Sequence, residues 1–392
     1  MSDAMAIGVV CYPSLGGSGV VAADLATGLA GRGHRVHVIA RAPPSRRLPE
    51  CDRIRFHPVE ATDYPLFDHP PYALAAASTI VEVARRHRLD LVHVHYAVPH
   101  AASAYLARQV LGAAAPRFVT TLHGTDVTGV GAQAAYKTIT RFTVSASDAL
   151  TVPSDYLRRA AYAALDLPAE PPIEVIPNFV DVEQFAPPAR RDRSRFDKLF
   201  GAPRSGEERG PVLFHVSNFR AVKRVPDLFD VLARVRERIP ARMVLVGDGP
   251  ERAAAESSAR AAGVASSVRF LGNSTDFAAD LRHADAFVLP SETESFGVAA
   301  LEALSSGVPV IAYRVGGLPE VVADGTGYLA EPFDTAALAR AVLDAIGEAA
   351  RREAMGRAAR QHVLARFRAE PALGRYEACF RRTLGSSPRV PR

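Results

Sequence analysis

The chain has 392 residues, enough for two or three domains of ordinary size. Hydrophobic residues make up 48% of it and charged residues 23%, a composition that can bury sizeable cores and excludes an intrinsically disordered chain. The net charge of +5 traces to residues 351–392, whose eleven arginines and three glutamates carry +8; because a nucleic-acid-binding protein usually spreads positive charge over a folded face, we expect no nucleic acid partner.

Cysteine usage and the N-terminus point to a cell compartment. The three cysteines, Cys11, Cys51 and Cys379, form no disulfide framework, which favours a reducing cytoplasm. The first residues contain no basic segment followed by a long apolar run, so we expect no signal peptide. No long window is both uncharged and strongly apolar, so we expect no stable membrane insertion.

Short apolar runs alternate with longer helical patterns along the chain, beginning with a strand at residues 7–11 and a helix at residues 20–31. The further predicted strands are residues 35–40, 91–95, 117–122, 149–152, 212–216, 243–246, 268–271, 286–289 and 308–311. Continuous apolar strands separated by helices are typical of parallel sheets covered on both faces. The pattern therefore predicts an α/β protein of the doubly wound class.

The pattern breaks between residues 177 and 211, where prolines and charged residues replace the apolar runs. We expect two Rossmann-like domains, residues 1–180 and residues 181–369, facing a cleft. Ligands of such sheets bind at the carboxyl ends of the strands. In the tail, Leu373, Tyr376, Phe380 and Leu384 are spaced as on one face of a helix at residues 370–392. This helix either returns to the N-terminal domain or, with its arginines, lies on an anionic membrane.

A glycine-rich loop at residues 12–19 follows the first predicted strand and precedes a helix. Its end, from Gly17 to Ala22, fits the dinucleotide pattern G-x-G-x-x-A, but no acidic residue ends the second strand to bind a ribose. A loop facing an anion at the helix N-terminus is favoured over a tight structural turn or a dinucleotide site.

Histidines cluster at the predicted strand ends of the first half. His93 and His95 alternate on one strand and point to the same face, but their spacing to His100 and His123 matches no metal pattern. His123 directly follows a strand and precedes Gly124-Thr125-Asp126, which indicates a functional residue in the cleft; capping by Thr125 or Asp126 is the alternative.

The second half carries charged strings at two strand ends. Arg220, Lys223 and Arg224 follow the strand at residues 212–216 and suit a diphosphate, unless they only begin a solvated helix. In residues 291–303, Glu294 stands eight before Glu302, with a helix predicted to begin near Phe296, so that Glu302 lies about two turns inside it. Main-chain N–H groups of Ser295, Phe296 and Gly297 would face an anion. Helix capping is the alternative for Glu294.

These strings resemble known proteins. Residues 291–303, the turn at 246–250, Gly316 to Glu320 and the segment 176–178 resemble, in order and spacing, the retaining family-4 glycosyltransferases, which have the GT-B fold. Residues 11–22, 93–100, 121–126 and 217–224 resemble more narrowly the branch that begins bacillithiol biosynthesis. That resemblance implies UDP-N-acetylglucosamine as donor and L-malate as acceptor, both substrates, with no cofactor.

The resemblance also implies roles for individual residues. The catalytic residues would be His123, which orients the sugar, together with Lys223 and Glu294. The donor would be held by Gly17, Asn218, Arg220, Lys223, Glu294, Ser295, Phe296, Gly297 and Glu302. The acceptor would be held by Ser18, Tyr96, Thr121 and Arg141. Many relatives have an arginine at the position of Asn218, and here Arg220 would replace it.

Other functions stay open at this point. Within the family the acceptor could be inositol phosphate, another sugar or a lipid, and GT-B folds also include UDP-sugar 2-epimerases. The chain contains no D-x-D triplet, and we expect no bound metal. A homo-oligomer is compatible with the sequence, which does not settle the oligomeric state.

Overall fold

A computed structural model describes residues 4–13, 17–62, 68–169, 172–202, 209–274 and 276–386. Residues 14–16 of the glycine loop and residues 203–208 of the polar segment between the domains lie outside this range. The chain divides into two units, Met1–Asn178 with Glu370–Arg392, and Phe179–Ala369. The domain boundaries predicted from the sequence follow residues 180 and 369, within two residues of these.

The first unit is built on a seven-stranded sheet whose strands are all parallel. Its strands are β1 (Ala6–Val10), β2 (Arg35–Ala40), β3 (Ile54–Pro58), β4 (Leu91–His95), β5 (Arg117–Thr121), β6 (Ala149–Val152) and β7 (Glu174–Val175). Their spatial order is β3-β2-β1-β4-β5-β6-β7, so the direction of winding reverses between β1 and β4. A crevice at such a reversal is where open α/β sheets bind ligands.

The second unit repeats this plan with six parallel strands. They are β8 (Val212–Val216), β9 (Arg242–Val246), β10 (Val268–Phe270), β11 (Ala286–Leu289), β12 (Val310–Tyr313) and β13 (Gly327–Ala330). The order β10-β9-β8-β11-β12-β13 reverses between β8 and β11. β11 and β12 are buried throughout and β8 is buried except at its last residue, Val216, as their continuous apolar runs predict.

Helices cover the sheets. In the first unit they are α1 (Ser18–Gly31), α2 (Tyr72–His87), α3 (Ala102–Leu111), α4 (Ala134–Ser145) and α5 (Asp155–Leu165). In the second unit they are α6 (Asp197–Phe200), α7 (Val225–Arg236), α8 (Arg252–Ala261), α9 (Ala278–Leu281), α10 (Val298–Ser305), α11 (Leu318–Val321), α12 (Thr335–Ile346) and α13 (Ala349–Arg366). The last helix, α14 (Ala369–Gly385), belongs mainly to the first unit.

The apolar stripe of α14 is buried in the first unit. Leu373 lies against Gly28 of α1, where an added Cβ would meet the leucine side chain at 2.7 Å. Tyr376 and Phe380 are both almost fully buried. Glu377 accepts hydrogen bonds from Arg32 at 2.8 Å and pairs with His34 at 2.9 Å. The stripe therefore serves packing rather than a membrane surface. Within the described residues, no helix is long and apolar enough to span a bilayer.

Sheet edges account for most differences from the predicted elements. Strands β3, β7 and β13 were not predicted, and all three are edge strands. Edge strands are partly exposed and so lack a continuous apolar run; β3, for example, alternates exposed and half-buried residues. The strand predicted at 308–311 lies instead at Val310–Tyr313, just beyond Pro309, which has no N–H to donate to a ladder.

Candidate active site

The loop after β1 delivers the chain to the N-terminus of α1. Gly17 has a φ of 56°, and a Cβ placed there would meet no described atom within 4 Å. Its carbonyl accepts the first helical hydrogen bond from Val21 at 3.1 Å. Ser18 follows, largely buried, and no acidic residue occupies the first turn of α1. A helix N-terminus without an acidic residue in its first turn favours anions, and the anion-facing role of the loop stays a prediction.

Three buried polar side chains, one each from the neighbouring strands β4, β5 and β6, are linked by hydrogen bonds. Nε2 of His93 lies 2.6 Å from the hydroxyl of Thr121, which lies 2.6 Å from that of Thr151. Tyr376 of α14 is hydrogen-bonded to both threonines. The Thr121 side chain is fully buried, and its hydroxyl already has hydrogen-bond partners in His93 and Thr151. Its direct contact with an acceptor stays a prediction.

His123 is positioned from two sides. Its Nε2 lies 2.9 Å from Nδ1 of His95, so one of the two nitrogens donates to the other. The buried Asp126 carboxylate accepts hydrogen bonds from the main-chain N–H groups of His123 (2.9 Å), Gly124 (2.8 Å) and Ala97 (2.9 Å). No described side chain caps the helical turn Thr125–Gly129 that follows, so the capping alternative is wrong. Asp126 instead fixes the loop that carries the histidine.

These histidines are neutral at physiological pH. Burial lowers the pKa of His93 and of His123 to about 3, and it lowers the pKa of His95 well below the ordinary value. Part of His123 stays exposed. His123 can therefore donate or accept a hydrogen bond toward a ligand, but it does not carry a proton as an imidazolium near pH 7.

The other predicted acceptor residues differ in placement. Tyr96 adopts a positive φ of 86°, and its ring stacks on His123 with centroids 5.6 Å apart. Arg141 is exposed on α4, where its charge contributes to a lowered pKa of Asp166. The first unit thus brings Tyr96 and His123 together, whereas the role of Arg141 in acceptor binding stays a prediction.

In the second unit, the loop after β8 is held against its neighbours. His215 is fully buried, with Nδ1 2.8 Å from the carbonyl of Val288 and Nε2 2.8 Å from the hydroxyl of Ser217. The turn at residues 246–250 supports this loop directly. A Cβ at Gly247, where φ is 117°, would lie 1.8 Å from the carbonyl oxygen of Ser217, so only glycine fits.

Lys223 and Glu294 form an ion pair at the reversal between β8 and β11. The Nζ to Oε1 distance is 2.6 Å, and the side chains are 19% and 12% exposed. The hydroxyl of Ser291 donates to the same carboxylate oxygen at 2.8 Å. A main-chain hydrogen bond of 2.8 Å from Glu292 to Val222 ties the two loops together. The two predicted catalytic residues of this unit therefore meet.

The loop before α10 continues the site. The ring of Phe296 is buried against Phe367, so only its main chain is available to a ligand. Gly297 has a φ of 98° and precedes the first residue of α10, Val298. Because α10 begins two residues later than predicted, the buried Glu302 lies about one turn into the helix rather than two.

Asn218 and Arg220 are exposed on the loop between β8 and Lys223. Arg220 follows Asn218 by two residues on this loop, and its replacement of the arginine that many relatives have at position 218 stays a prediction. Sequence reasoning missed the supporting residues His215 and Ser291. Ser291 lies three residues before Glu294, just after a predicted strand, and that position is the signal that would have found it. His215 lies inside a predicted apolar strand, where no such signal is present.

Comparisons with known proteins identify the family of the chain. Models of "Glycosyltransferase Family 4" and "Glycosyl transferases group 1" match residues 15–184 and 202–362. The chain is 41% identical over 334 residues to N-acetyl-alpha-D-glucosaminyl L-malate synthase of Bacillus anthracis, covering 85% of each chain.

Two solved structures are similar to the whole chain. Sucrose-phosphate synthase from Thermosynechococcus elongatus gives a TM-score of 0.78 at 22% identity, with 98% of this chain and 100% of that one covered. Anabaena HepE, in complex with UDP and glucose, gives a TM-score of 0.76 at 20% identity, with 96% and 99% covered.

Two parallel α/β units of this topology, with these structural neighbours, define a glycosyltransferase with the GT-B fold. The chain belongs to the family-4 glycosyltransferases, because it matches that family's model over its first half and a member over 85% of its length. The predicted family and fold class are thereby confirmed.

Proposed function

We propose that this enzyme transfers N-acetylglucosamine from UDP-N-acetylglucosamine to the hydroxyl of L-malate with retention of configuration, the first step of bacillithiol biosynthesis. The observation that carries the proposal is the 41% identity, over 85% of both chains, to a protein named for that product. His123 of the first unit supplies groups of the kinds that this reaction requires, and so do the Lys223–Glu294 pair and the α10 loop of the second unit.

On the donor side, the Lys223–Glu294 pair is the element that responds to substrate. An entering diphosphate competes with Glu294 for the ammonium group of Lys223 and carries more negative charge than the carboxylate. Glu294, still held by Ser291, is then free to accept hydrogen bonds from the sugar hydroxyls. The main-chain N–H groups of Ser295 to Gly297 hold phosphate oxygens. Glu302 takes the ribose hydroxyls.

The chemistry follows from where charge develops. The bond between the anomeric carbon and the diphosphate oxygen breaks, and the electron pair leaves with UDP. Lys223, Arg220 and the N–H groups before α10 stabilise that growing negative charge. The malate hydroxyl attacks the oxocarbenium-like carbon from the face that UDP leaves, and its proton passes to a diphosphate oxygen. The proposal uses no metal ion, because the protein's own cations neutralise the diphosphate.

On the acceptor side, His123 orients the sugar as a neutral imidazole beside Tyr96. Ser18 and the N-terminus of α1 offer hydrogen bonds to anionic groups. Arg141 and Thr121 complete the proposed set. A dicarboxylate such as malate suits these groups better than a neutral sugar does, because the N-terminus of α1 and the guanidinium of Arg141 both favour anions.

The test incubates the purified enzyme with UDP-N-acetylglucosamine and separate acceptors, L-malate, D-malate, inositol phosphate and a neutral sugar, and measures UDP release. We expect release that depends on L-malate, and an NMR coupling constant showing the α-anomer in the product. UDP release with another acceptor alone would place the enzyme elsewhere in the family. Conversion of the UDP-sugar without any acceptor would make it an epimerase.

A further inference from the structure

A second histidine cluster lies away from the candidate active site, at the β3 edge of the first unit. His37 belongs to β2, His57 belongs to β3, and His87 is the last residue of α2. One ring nitrogen from each histidine lies within 4.8 Å of the corresponding nitrogens of the other two. Nothing in the proposed glycosyl transfer uses these residues, so their assembly needs a separate explanation.

Sheet register explains how distant residues meet. In the parallel pair β2–β3, His37 is opposite Arg55 and Ile39 is opposite His57. Residues two apart on a strand share a face, so the imidazoles of His37 and His57 lie on the same side of the sheet. There Nδ1 of His37 lies 2.9 Å from Nε2 of His57. Helix α2 packs over β2 and β3. The ring centroid of His87, at the end of α2, lies 4.2 Å from the ring centroid of His37 and 5.3 Å from that of His57.

We propose that His37, His57 and His87 form a binding site for a divalent transition-metal ion, with Zn²⁺ as its best fit. Tetrahedral Zn²⁺ binds imidazole nitrogens at about 2.0–2.1 Å, which places neighbouring ligand nitrogens roughly 3.3 Å apart. The nitrogens of the cluster need only small side-chain rotations to reach that spacing. A water molecule would supply the fourth ligand.

The protonation states suit metal binding. Burial lowers the pKa of His37 to about 4, and burial together with neighbouring charges also lowers the pKa of His57 and of His87. The three imidazoles are therefore neutral near pH 7, and a lone pair on each is available without the release of a proton.

The charges around the cluster decide which metals it takes. Arg35, Arg55 and Arg86 are the charged side chains that act on these histidines, and all three oppose a cation. Hard ions such as Mg²⁺ and Ca²⁺ prefer oxygen ligands, and these arginines disfavour them further. Zn²⁺, Ni²⁺ and Cu²⁺ form strong bonds to imidazole and can bind despite the arginines. We therefore expect selectivity for late transition metals.

Bound metal would join the end of α2 to an edge strand. Since β3 is an edge strand that pairs only with β2 among the described strands, a link through His57 and His87 would stabilise the β3 edge. An ion that binds the folded chain and not the unfolded one raises Tm, and the rise grows with the logarithm of the ratio of ion concentration to Kd.

The experiment uses the full chain stripped with a chelator and titrated with Zn²⁺ against a chromogenic competitor, with Tm followed in parallel. We expect one Zn²⁺ per chain, a rise in Tm with Zn²⁺, and no response to Mg²⁺. His87→Gln, at the half-buried end of α2, should weaken Zn²⁺ binding by more than about tenfold and remove the rise in Tm.

Two controls separate this site from other histidines. His69→Gln changes an exposed histidine of the same unit and should bind Zn²⁺ like the parent chain. His123→Gln removes the imidazole of the candidate active site and should also keep the Tm response. The proposal is overturned if the parent chain binds no Zn²⁺, if His87→Gln binds it unchanged, or if His123→Gln abolishes the Tm response.

Discussion

The Lys223–Glu294 pair gives the sharpest prediction for the reaction. Replacement of Lys223 by alanine removes the ammonium that we place against the leaving diphosphate. Loss of one preorganised charge donor in other enzymes lowers kcat about 10²–10³-fold, or roughly 3–4 kcal/mol of transition-state stabilisation. We expect the same range for kcat/KM of Lys223→Ala, measured by malate-dependent UDP release.

The same substitution also affects stability, because it leaves Glu294 without its partner. Loss of one member of a fully buried ion pair costs about 3–5 kcal/mol. Here the side chains are 19% and 12% exposed, so water screens part of that penalty, and we expect roughly 2 kcal/mol. For a unit of this size, that corresponds to a decrease in Tm of roughly 4–8 °C.

A double variant separates the two effects. Lys223→Ala with Glu294→Ala removes the unpaired carboxylate, so stability should recover toward the parent value while activity stays low. Lys137→Ala is the matched control, because its pair with Asp166 is 2.9 Å long but 40% and 58% exposed and should contribute little. If Lys223→Ala kept kcat/KM within a few-fold of the parent enzyme, its assignment to the diphosphate would be refuted.

Three further predictions concern the supporting structure. Asp126→Asn disturbs the carboxylate that accepts three main-chain N–H bonds; we expect a loss of about 1–3 kcal/mol in unfolding free energy and lower kcat, whereas the exposed Asp166→Asn should change neither. Gly247→Ala places a Cβ 1.8 Å from the Ser217 carbonyl oxygen at a φ of 117°. We expect the unfolding free energy to fall by about 3 kcal/mol or more. Gly263→Ala is the control, because its φ is 70° but the space around it is free, and it should cost about 1 kcal/mol. Burial lowers the pKa of His100 to about 4, below the ordinary 6.5, so the unfolded chain takes up the proton first and stability falls as pH decreases from 6.5 to 4. Urea unfolding should show a loss of up to about 2 kcal/mol per such histidine between pH 6.5 and pH 5, reduced in His100→Gln; equal stability at pH 7 and pH 5 would contradict it.

The fold class was predictable because the central strands are buried on both faces. β2, β4, β8 and β11 have the bounds that their apolar runs predict. The edge strand β3 was not predictable in this way, because a half-exposed strand has arginine and histidine among its apolar residues.

The candidate site was predictable where one short string carries the chemistry. Lys223 and Glu294 were both found by their position after a strand. In the structure they form an ion pair although 71 positions separate them in the sequence. The roles of Asp126 and His215 depend on which main-chain groups fold around them, which no local spacing reveals. The meeting of His37, His57 and His87 depends on strand register and the packing of α2, so a search for metal motifs in the sequence does not find it.

The excess positive charge of the C-terminal segment has a structural use. Arg382 and Arg375 of α14 pair with Glu174 of β7 at 2.6 and 3.9 Å, and Arg375 also donates to the carbonyl of Val175. These contacts attach α14 to β7, the edge strand of the first sheet, although the two elements are far apart in the sequence. Both arginines are well exposed, so each ion pair adds little to stability. The buried apolar stripe of α14 contributes more to its binding to the first unit. Part of the C-terminal positive charge therefore attaches α14 to the first sheet, whereas the substrate binding that we propose depends on a few cations at strand ends.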